Sequence, residues 1–249
     1  MKKETFSIIM PSYNSQKTIE KSIDSVINQS FPDFLLYIVD DNSTDETFNI
    51  IKKFQDKRII YVKNNVNIGV AGTRNKALSL CKGKYITFLD SDDYWHPQKL
   101  EKQLSLLEDG WDVVCSNYYT FRSDNSEHNE IISYRISPQI IMYDMMLKSN
   151  FIGNLTGTYN AEKLGKSLQK KIGHEDYLMW LTIMKKSQKA YCIQEPLAYY
   201  RISGNSVSSN KFKTILWQWI IYRKELRLPL IQSMYNVIFY IIKALQKRK

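Results

Sequence analysis

Four apolar segments of strand length alternate with helical patterns in the first 90 residues, and this alternation constrains the fold more than any other feature of the sequence. Strands and helices that alternate in this way predict parallel strands joined by helical crossovers. The predicted fold class is therefore α/β, with a mostly parallel sheet flanked by helices. The four segments are FSIIM (6–10), FLLYIVD (34–40), RIIYV (58–62) and KYITFLD (84–90).

Each predicted strand ends in a polar segment. Because ligands of open α/β sheets bind outside the carboxyl ends of the strands, these segments are expected to meet in one crevice. The last segment places Asp90, Asp92 and Asp93 within four positions. Such close carboxylates repel one another and are costly to desolvate, so they predict a cation or a set of hydrogen-bond donors beside them. The segments are PSYN, DDNSTD, NNVNIGV and DSDD.

Motifs for several other cofactors are missing. The first strand is followed by PSYN instead of a glycine-rich turn, and GVAG (69–72) is not the dinucleotide fingerprint. Cys81, Cys115 and Cys192 lie far apart in apolar surroundings, which favours buried thiols over a disulfide framework or a zinc site. The three histidines are spread too widely to form a metal site by spacing.

The positive charge of the chain is concentrated at its C-terminal end. The formal net charge is +10 over 249 residues. Residues 211–249 contain nine basic residues and one acid, Glu225, which leaves a net charge of +2 for the rest of the chain. Nothing in that near-neutral body interleaves basic and aromatic residues as a nucleic-acid groove does. The sequence therefore predicts no nucleic-acid partner.

Residues 211–249 also predict two amphipathic helices that Pro229 separates. Their longest apolar run, VIFYII (237–242), is too short to span a bilayer. Two interpretations stay open: the helices lie in the headgroup plane of an anionic membrane, or they pack on the domain and leave a solvated basic rim. The chain opens on MKKETF without an apolar leader, so we expect a cytoplasmic protein.

Five motifs stand in register along the chain: SIIMPSYN, VDDNSTDET, GVAGTRNKAL, YITFLDSDD and HEDYLMW. In this order and at these spacings, over roughly residues 5–205, they resemble the family 2 glycosyltransferases of GT-A fold. The resemblance implies a Rossmann-like sheet with a nucleotide-diphosphate sugar and a divalent cation, Mn²⁺ or Mg²⁺, at its edge. The chain would then comprise a nucleotide-sugar-binding half (1–110), an acceptor-binding and catalytic-base half (111–210) and the amphipathic tail (211–249).

The resemblance implies a role for each residue of the acidic strand end. Asp90 and Asp92 match the D-x-D of the family, with Asp92 as the direct metal ligand and Asp90 as the residue that contacts the ribose or shares the metal. A hard cation held there by carboxylate oxygens would bridge to a diphosphate. Ser91, between them, is assigned to the donor site. Asp93 either belongs to the cluster or caps a helix that starts around Pro97.

Four other residues match positions that contact the donor in the family. Pro11 and Tyr13 resemble the turn that contacts uracil, with the tyrosine ring as a stacking face. Asp41 matches the position that accepts a hydrogen bond from the base, and the ring N–H of uracil is such a donor, so a UDP-sugar is favoured. Arg74 resembles a donor-site arginine, with a surface arginine on a helix as the alternative.

The acidic pair of HEDYLMW matches the catalytic base of the family. Asp176 is assigned as the group that takes the proton of the acceptor hydroxyl, and Glu175 is the second candidate or orients the acceptor. As an alternative, both acids only complement the dipole at a helix start. A single base without a carboxylate nucleophile implies inversion of the anomeric configuration.

Two further residues are predicted to contact the acceptor. Trp95 either stacks on a sugar or is an ordinary core residue. Arg201 lies in YYRISGNSVS (199–208), which resembles the closing loop of the family. Ile202 and Ser203 stand where many relatives have a histidine, which argues against a third protein ligand for the metal.

Together these motifs predict an inverting, metal-dependent glycosyltransferase that adds one sugar, since QWIIYR does not match the Q-x-x-R-W of processive synthases. The basic tail favours a polyprenyl-pyrophosphate-linked N-acetylhexosamine as acceptor, at the cytoplasmic face of the inner membrane, in O-antigen or capsule biosynthesis. UDP-galactose, giving a β linkage, is the predicted donor. The alternatives are UDP-glucose or a UDP-N-acetylhexosamine, with another glycan, teichoic acid or a protein as acceptor. A non-catalytic nucleotide-sugar-binding module is disfavoured because both metal and base carboxylates are present.

Overall fold

The computed structural model of the protein describes residues 3–123, 129–202 and 211–246. Within these residues, ten strands form a single sheet. The strands are β1 (Phe6–Ser12), β2 (Phe34–Asp40), β3 (Ile59–Lys63), β4 (Tyr85–Phe88), β5 (Tyr94–Trp95), β6 (Val113–Ser123), β7 (Asn129–Arg135), β8 (Ile140–Met142), β9 (Thr158–Asn160) and β10 (Lys189–Arg201). The helices are α1 (Ile19–Ile27), α2 (Thr47–Lys53), α3 (Gly69–Leu80), α4 (Lys99–Glu108), α5 (Tyr143–Met146), α6 (Ala161–Leu164), α7 (Glu175–Ser187), α8 (Lys211–Ile220) and α9 (Leu230–Gln246), with a π-helical turn (Ile221–Glu225) directly after α8.

The sheet has the order β3-β2-β1-β4-β9-β6-β10-β5, with β7 paired to β6 and β8 paired to β10. The first four strands are parallel, as predicted. β9 runs antiparallel to both β4 and β6 and so joins the two halves of the chain in one sheet. The sheet is therefore continuous across residue 110, and the predicted boundary between a donor half and an acceptor half stays a prediction.

Both faces of the central strands are buried, which explains their nearly continuous apolar sequences. Ile9 of β1 packs on the face covered by α3 and α7, and its neighbour Ile8 packs on the face covered by α1 and α4. In the pairing of β1 with β2, Ser12 lies opposite Asp40, and β4 ends beside β1. The polar residues that follow these strands consequently lie at the same edge of the sheet.

Ser15 lies in the loop before the first helix and does not occupy the N-cap position of that helix. α1 begins at Ile19, and Thr18 occupies the N-cap position. The backbone carbonyl of Ser15 accepts hydrogen bonds from the N–H groups of Thr18 and Ile19, both at 3.0 Å. Its hydroxyl instead lies 2.7 Å from the hydroxyl of Ser91, so Ser15 links the first loop to the acidic strand end.

Part of the C-terminal tail packs on the domain, as one of its two interpretations predicted, and membrane contact stays a prediction. Ile221 and Tyr222 of the π-helical turn are fully buried, and the Tyr222 hydroxyl donates a hydrogen bond to the carbonyl of Leu147. α9, in contrast, leaves an apolar stripe exposed along one face. This α9 stripe consists of Leu230, Ile231, Met234, Tyr235, Ile238 and Ile242. Every helix in the described part of the chain falls short of the length and apolar character that a membrane span needs.

Gly173 allows α8 to pack against the start of α7. Its φ is +89°, and a Cβ at this position would lie 2.3 Å from Cδ2 of Trp217. We expect Gly173→Ala to lower the free energy of unfolding by about 3 kcal/mol, because left-handed backbone strain is combined with displacement of α8.

Gly110→Ala is the matched control for this prediction. Gly110 has a φ of +100°, but a Cβ there would meet no atom within 4 Å, so only the backbone strain applies, at about 1 kcal/mol. Urea denaturation of both variants measures the difference. Equal losses of stability would show that the contact with Trp217 contributes nothing.

Candidate active site

A cleft of about 460 Å³ opens at the carboxyl ends of β1, β2 and β4, beside the start of α3. The polar strand ends therefore converge as the sequence predicted. The segment that follows β3 reaches the cleft through Asn67 and Gly69. The residues of the cleft that the sequence assigned to the donor are Pro11, Tyr13, Asp41, Asp90, Ser91 and Asp92.

Asp41 is buried and held in one orientation. Its Oδ1 accepts hydrogen bonds from Nδ2 of Asn64 (2.8 Å) and the N–H of Ile68 (2.9 Å), and its Oδ2 accepts one from the N–H of Gly69 (2.8 Å). Burial would raise the pKa of this carboxyl, but the hydrogen bonds lower it, so Asp41 carries its charge. A carboxylate offers about four acceptor sites. Asp41 also lines the cleft, so its carboxylate is available as an acceptor on the cleft side.

Tyr13 presents an aromatic face to the cleft. Its side chain is 51% exposed. The loop that carries it is tied down, because the N–H of Asn14 donates to Oγ of Ser43 (2.9 Å). Asp40 braces the same region by accepting from the N–H of Ser43 and the hydroxyl of Tyr61, both at 2.9 Å. An exposed ring on an ordered loop suits stacking against a planar base.

The acidic cluster has strongly perturbed electrostatics. Burial and the charge of Asp90 raise the pKa of Asp92 to about 6. Burial and the charges of its two neighbours raise the pKa of Asp93 well above its usual range. Asp93 does not cap α4, which begins at Lys99, so the capping alternative is wrong; it accepts a hydrogen bond from the N–H of Arg201 (2.8 Å).

Arg74 connects the cluster to the second half of the chain. Its buried guanidinium places Nη2 2.5 Å from Oδ1 of Asp90 and donates from Nη1 to Oε1 of Gln169 (3.1 Å). Burial would lower the pKa of this group, but the charges of Asp90, Asp176 and Glu175 outweigh it and raise the pKa. The alternative of a surface arginine is therefore wrong.

The carboxylate of Asp92 is suited to bind a hard divalent cation. Burial and the charge of Asp90 disfavour its ionised form, whereas Asp90 is already paired with Arg74. A cation would relieve the repulsion and favour the charged carboxylates, and oxygen ligands suit Mn²⁺ and Mg²⁺. Within the described ranges, no group of three or more acidic, histidine or cysteine side chains could enclose a metal ion. A cation at Asp92 therefore needs ligands in addition to these carboxylates.

Glu175 and Asp176 form the first turn of α7, and both are partly buried. They lie close enough to Arg74 to affect its pKa, and the charge of Asp176 also acts on the pKa of Tyr118 of β6. Arg74 thus contacts the acidic strand end and also lies within electrostatic reach of the acids at the start of α7. Acids in a first turn also complement the helix dipole, so the role of base stays a prediction.

Trp95 is a core residue. Its side chain is 2% exposed, and its indole N–H donates a hydrogen bond to the carbonyl of Leu155 (2.8 Å). The Nζ atom of Lys99 lies 3.9 Å from the centroid of the ring. Of the two interpretations of Trp95, the geometry supports the core residue and leaves no ring face for a sugar.

Arg201 lies against the acidic strand end. Its Nε donates to the backbone carbonyl of Asp92 (3.0 Å), and its backbone N–H reaches Asp93. This position fixes the loop that carries the cluster, and the contact with the acceptor stays a prediction. The rest of the predicted closing loop, with Ser206 and Ser208, lies outside the described residues.

Sequence reasoning missed two tyrosines near the acidic cluster, Tyr118 and Tyr200. The rings of Tyr118 and Tyr200 lie edge to face with centroids 6.3 Å apart. Burial raises the pKa of Tyr200, and the charges of the three clustered aspartates raise it further. No local signal marks them, because a tyrosine in a β-strand is typical of an ordinary sheet residue.

Known proteins share both the sequence pattern and the fold of this chain. The family model described as Glycosyl transferase family 2 matches residues 7–165. The chain is 38% identical over 250 residues to "Putative teichuronic acid biosynthesis glycosyltransferase TuaG" of Bacillus subtilis (strain 168), covering 99% of this chain and 98% of that protein. It is 37% identical over 245 residues to the UDP-Glc:alpha-D-GlcNAc-diphosphoundecaprenol beta-1,3-glucosyltransferase WfgD of Escherichia coli, covering 97% and 94%. The crystal structure of S. aureus TarS 1-349 in complex with UDP-GlcNAc matches with a TM-score of 0.73 and 20% identity, covering 95% of this chain and 71% of that one.

Proposed function

This chain belongs to glycosyl transferase family 2, and on that premise we propose that it is an inverting, metal-dependent enzyme that adds one sugar from a UDP-sugar to a polyprenyl-diphosphate-linked N-acetylhexosamine. The family membership confirms the predicted class of enzyme, and the likeness to TarS confirms the predicted GT-A fold. The donor sugar, the acceptor, the metal and the roles of the residues belong to the proposal.

The observation that supports the proposal most strongly is the convergence of a stacking ring, a charged acceptor and an acidic cluster in one cleft. Tyr13 and Asp41 would bind the uracil of the donor, the tyrosine by stacking and the aspartate by accepting the ring N–H. Asp92 and Asp90 line the same cleft. They would hold a divalent cation, which when bound supplies positive charge to the donor diphosphate and the leaving group.

Asp176 acts as the general base in this proposal. A bond forms between the acceptor oxygen and the anomeric carbon while the bond from that carbon to the diphosphate oxygen breaks. The proton of the acceptor hydroxyl moves to the Asp176 carboxylate, and UDP leaves with the bonding electrons. Because only one displacement occurs, an α-linked donor gives a β-linked product. Arg74 holds Asp90 and lies near Asp176, so it fixes the donor and acceptor sides relative to each other.

UDP-glucose is the donor to test first. The E. coli relative is named as a β-1,3-glucosyltransferase that uses UDP-Glc and an α-D-GlcNAc-diphosphoundecaprenol acceptor. Galactose, the predicted sugar, has no support from these comparisons and stays a prediction. The acceptor named for that relative agrees with the diphosphate-linked N-acetylhexosamine that the basic tail suggested.

We further propose that the α9 stripe rests on the cytoplasmic face of the inner membrane. Ile231, at its N-terminal end, is 83% exposed. The Nζ of Lys148 lies 5.5 Å from the ring centroid of Tyr235, so a positive charge lies beside the α9 stripe. A positive charge at this place would attract the anionic headgroups of a membrane. Burial raises the pKa of Tyr240 on α9, and the charge of Asp176 raises it further, so Tyr240 lies within electrostatic reach of the proposed base. A membrane under the stripe would bring a lipid-linked sugar to that base.

Membrane contact predicts a loss of binding when the stripe is made polar. Ile231→Ser with Ile238→Ser is expected to weaken binding to vesicles of phosphatidylglycerol and phosphatidylcholine by about tenfold or more, because two large apolar side chains no longer enter the interface. Vesicle sedimentation measures it. Leu80→Ser, at an exposed position at the end of α3, is the control and is expected to bind as the native protein does. Native protein that stays in the supernatant would contradict membrane contact.

A UDP-release assay tests the proposed reaction. The native protein is incubated with a synthetic GlcNAc-diphosphate lipid and a panel of UDP-sugars, with Mn²⁺, Mg²⁺ or EDTA. We expect UDP to be released only when the acceptor and a metal are present, and from only one UDP-sugar of the panel. Release that continues in EDTA would contradict metal dependence, and no acceptor-dependent release with any donor would contradict the proposed acceptor.

A further inference from the structure

We propose that a second cleft, between β6, β7 and residues 150–153, binds the diphosphate-linked sugar of the acceptor, with Arg135 contacting the diphosphate and Tyr118 lying beside the sugar. This inference rests on the proposed function and assigns its acceptor site. The cleft has a volume of about 270 Å³ and shares no lining residue with the donor cleft. This volume lies just below the range of about 300–1,000 Å³ that is typical of pockets for drug-sized ligands, so the cleft has room for no more than a single sugar with its linkage.

The position of Tyr118 connects the second cleft to the reaction centre. Tyr118 lines that cleft, and its ring lies edge to face with Tyr200 beside the acidic cluster. Burial raises the pKa of Tyr118, the charge of Arg135 lowers it, and the charges of Asp93 and Asp176 raise it. The tyrosine thus lies within electrostatic reach of the proposed base and of the arginine. A sugar beside Tyr118 would have a hydroxyl near Asp176 and its linkage near Arg135.

The walls of the second cleft are fixed before any ligand binds. A Cβ on Gly153 would lie 2.9 Å from Cε1 of Tyr118, so the absence of a side chain lets that ring lie against the backbone. The hydroxyl of Tyr134 donates to the carbonyl of Gln194 (2.9 Å). The hydroxyl of Ser137 donates to the carbonyl of Phe151 (2.7 Å). Fixed aromatic and polar walls of this kind reduce the entropy lost on binding.

The chemistry of the second cleft matches a sugar diphosphate. Tyr118, Tyr134 and Phe151 supply aromatic surface that can cover the apolar face of a sugar ring. Asn150 adds an amide for its hydroxyls. Arg135 supplies a planar cation, and guanidinium groups bind phosphate oxygens in a bidentate manner. Carboxylates repel a diphosphate unless a cation lies between them, so a cationic side chain such as Arg135 is better suited than the acidic cluster to direct contact with the acceptor diphosphate.

The test compares two acceptors that share a sugar and a lipid chain: GlcNAc-diphosphate-lipid and a GlcNAc glycoside of the same lipid without phosphate. We expect Arg135→Gln to lower kcat/KM for the diphosphate acceptor by about 10- to 100-fold, mainly through KM, because a charge-assisted contact is lost. For the phosphate-free acceptor the change should stay below about threefold. Arg135→Lys, which keeps the charge, should recover part of the loss.

Arg122→Gln is the matched control, because Arg122 is exposed on β6 and does not line the second cleft. It should leave both acceptors unaffected. If Arg135→Gln lowered kcat/KM equally for the two acceptors, or lowered it for neither, the assignment of Arg135 to the diphosphate would be overturned. Native protein that uses neither acceptor would instead overturn the proposed function, so the two failures are distinguishable.

Discussion

Asp176→Asn is expected to lower kcat by about 10²- to 10⁴-fold, the range that a lost general base typically costs. The asparagine keeps the shape of the side chain but cannot take the proton of the acceptor hydroxyl. Asp176 does not line the donor cleft, so the affinity for UDP in the presence of Mn²⁺ should change by less than about twofold. Steady-state kinetics with saturating acceptor and isothermal titration with UDP measure the two quantities.

Glu175→Gln is the matched control for this prediction. The two acids share the first turn of α7, and both raise the pKa of Arg74. Both variants therefore remove a carboxylate from the same region. If Asp176 is the base, Glu175→Gln should lose far less activity. A larger loss for Glu175→Gln would assign the base to Glu175. Similar small losses for both variants would support the alternative that these acids only stabilise the helix start.

Asp92→Asn is expected to lower transfer by about 10³-fold and at the same time to stabilise the metal-free protein. The activity falls because the cation loses the carboxylate that holds it, and a metal typically supplies several kcal/mol to the transition state. The stability rises because the pKa of Asp92 is about 6 in the folded protein and 3.8 in a free side chain. An acid with a raised pKa costs stability as the pH rises through that range, and at pH 7.5 the cost is as much as about 3 kcal/mol.

Thermal denaturation with and without Mn²⁺ measures both effects of Asp92→Asn. In EDTA at pH 7.5 the variant should melt several degrees above the native protein. With Mn²⁺ and UDP the native protein should gain stability by ligand binding, and the variant should not. Asp93→Asn is the control for the response to Mn²⁺, since it changes a neighbouring carboxyl of the same cluster but keeps an oxygen for the N–H of Arg201. A variant at Asp92 that responds to Mn²⁺ as the native protein does would exclude Asp92 as the ligand.

The N-terminal part of the fold, with β1 to β4, could be predicted from the sequence because its signals are local. FLLYIVD is buried on both faces and forms β2 over the residues predicted, Phe34–Asp40. The parallel arrangement then places the ends of the strands at one edge, so Asp41 and Asp92 could be assigned to one cleft before the structure. Hydrophobic periodicity and strand order carry this information without any knowledge of distant contacts.

The features that sequence reasoning left open or missed depend on contacts between distant segments. Arg74 is buried because Asp90 and Gln169 surround it, and Gln169 lies 95 positions further along the chain. Ser15 precedes α1 and is of a residue type that is common at N-caps, but its hydroxyl instead contacts the hydroxyl of Ser91. Composition alone could not decide whether the tail packs on the domain or contacts a membrane. In the structure the π-helical turn packs on the domain, whereas α9 leaves its stripe exposed.

The most direct test of the central claim is mass and NMR analysis of the product formed from UDP-glucose, Mn²⁺ and a GlcNAc-diphosphate lipid. We expect that one hexose is added to the GlcNAc, that the new linkage is β, and that no product forms in EDTA. An α linkage would contradict single displacement with Asp176 as base. UDP released with the acceptor unchanged would show hydrolysis instead of transfer, and it would contradict the proposed function.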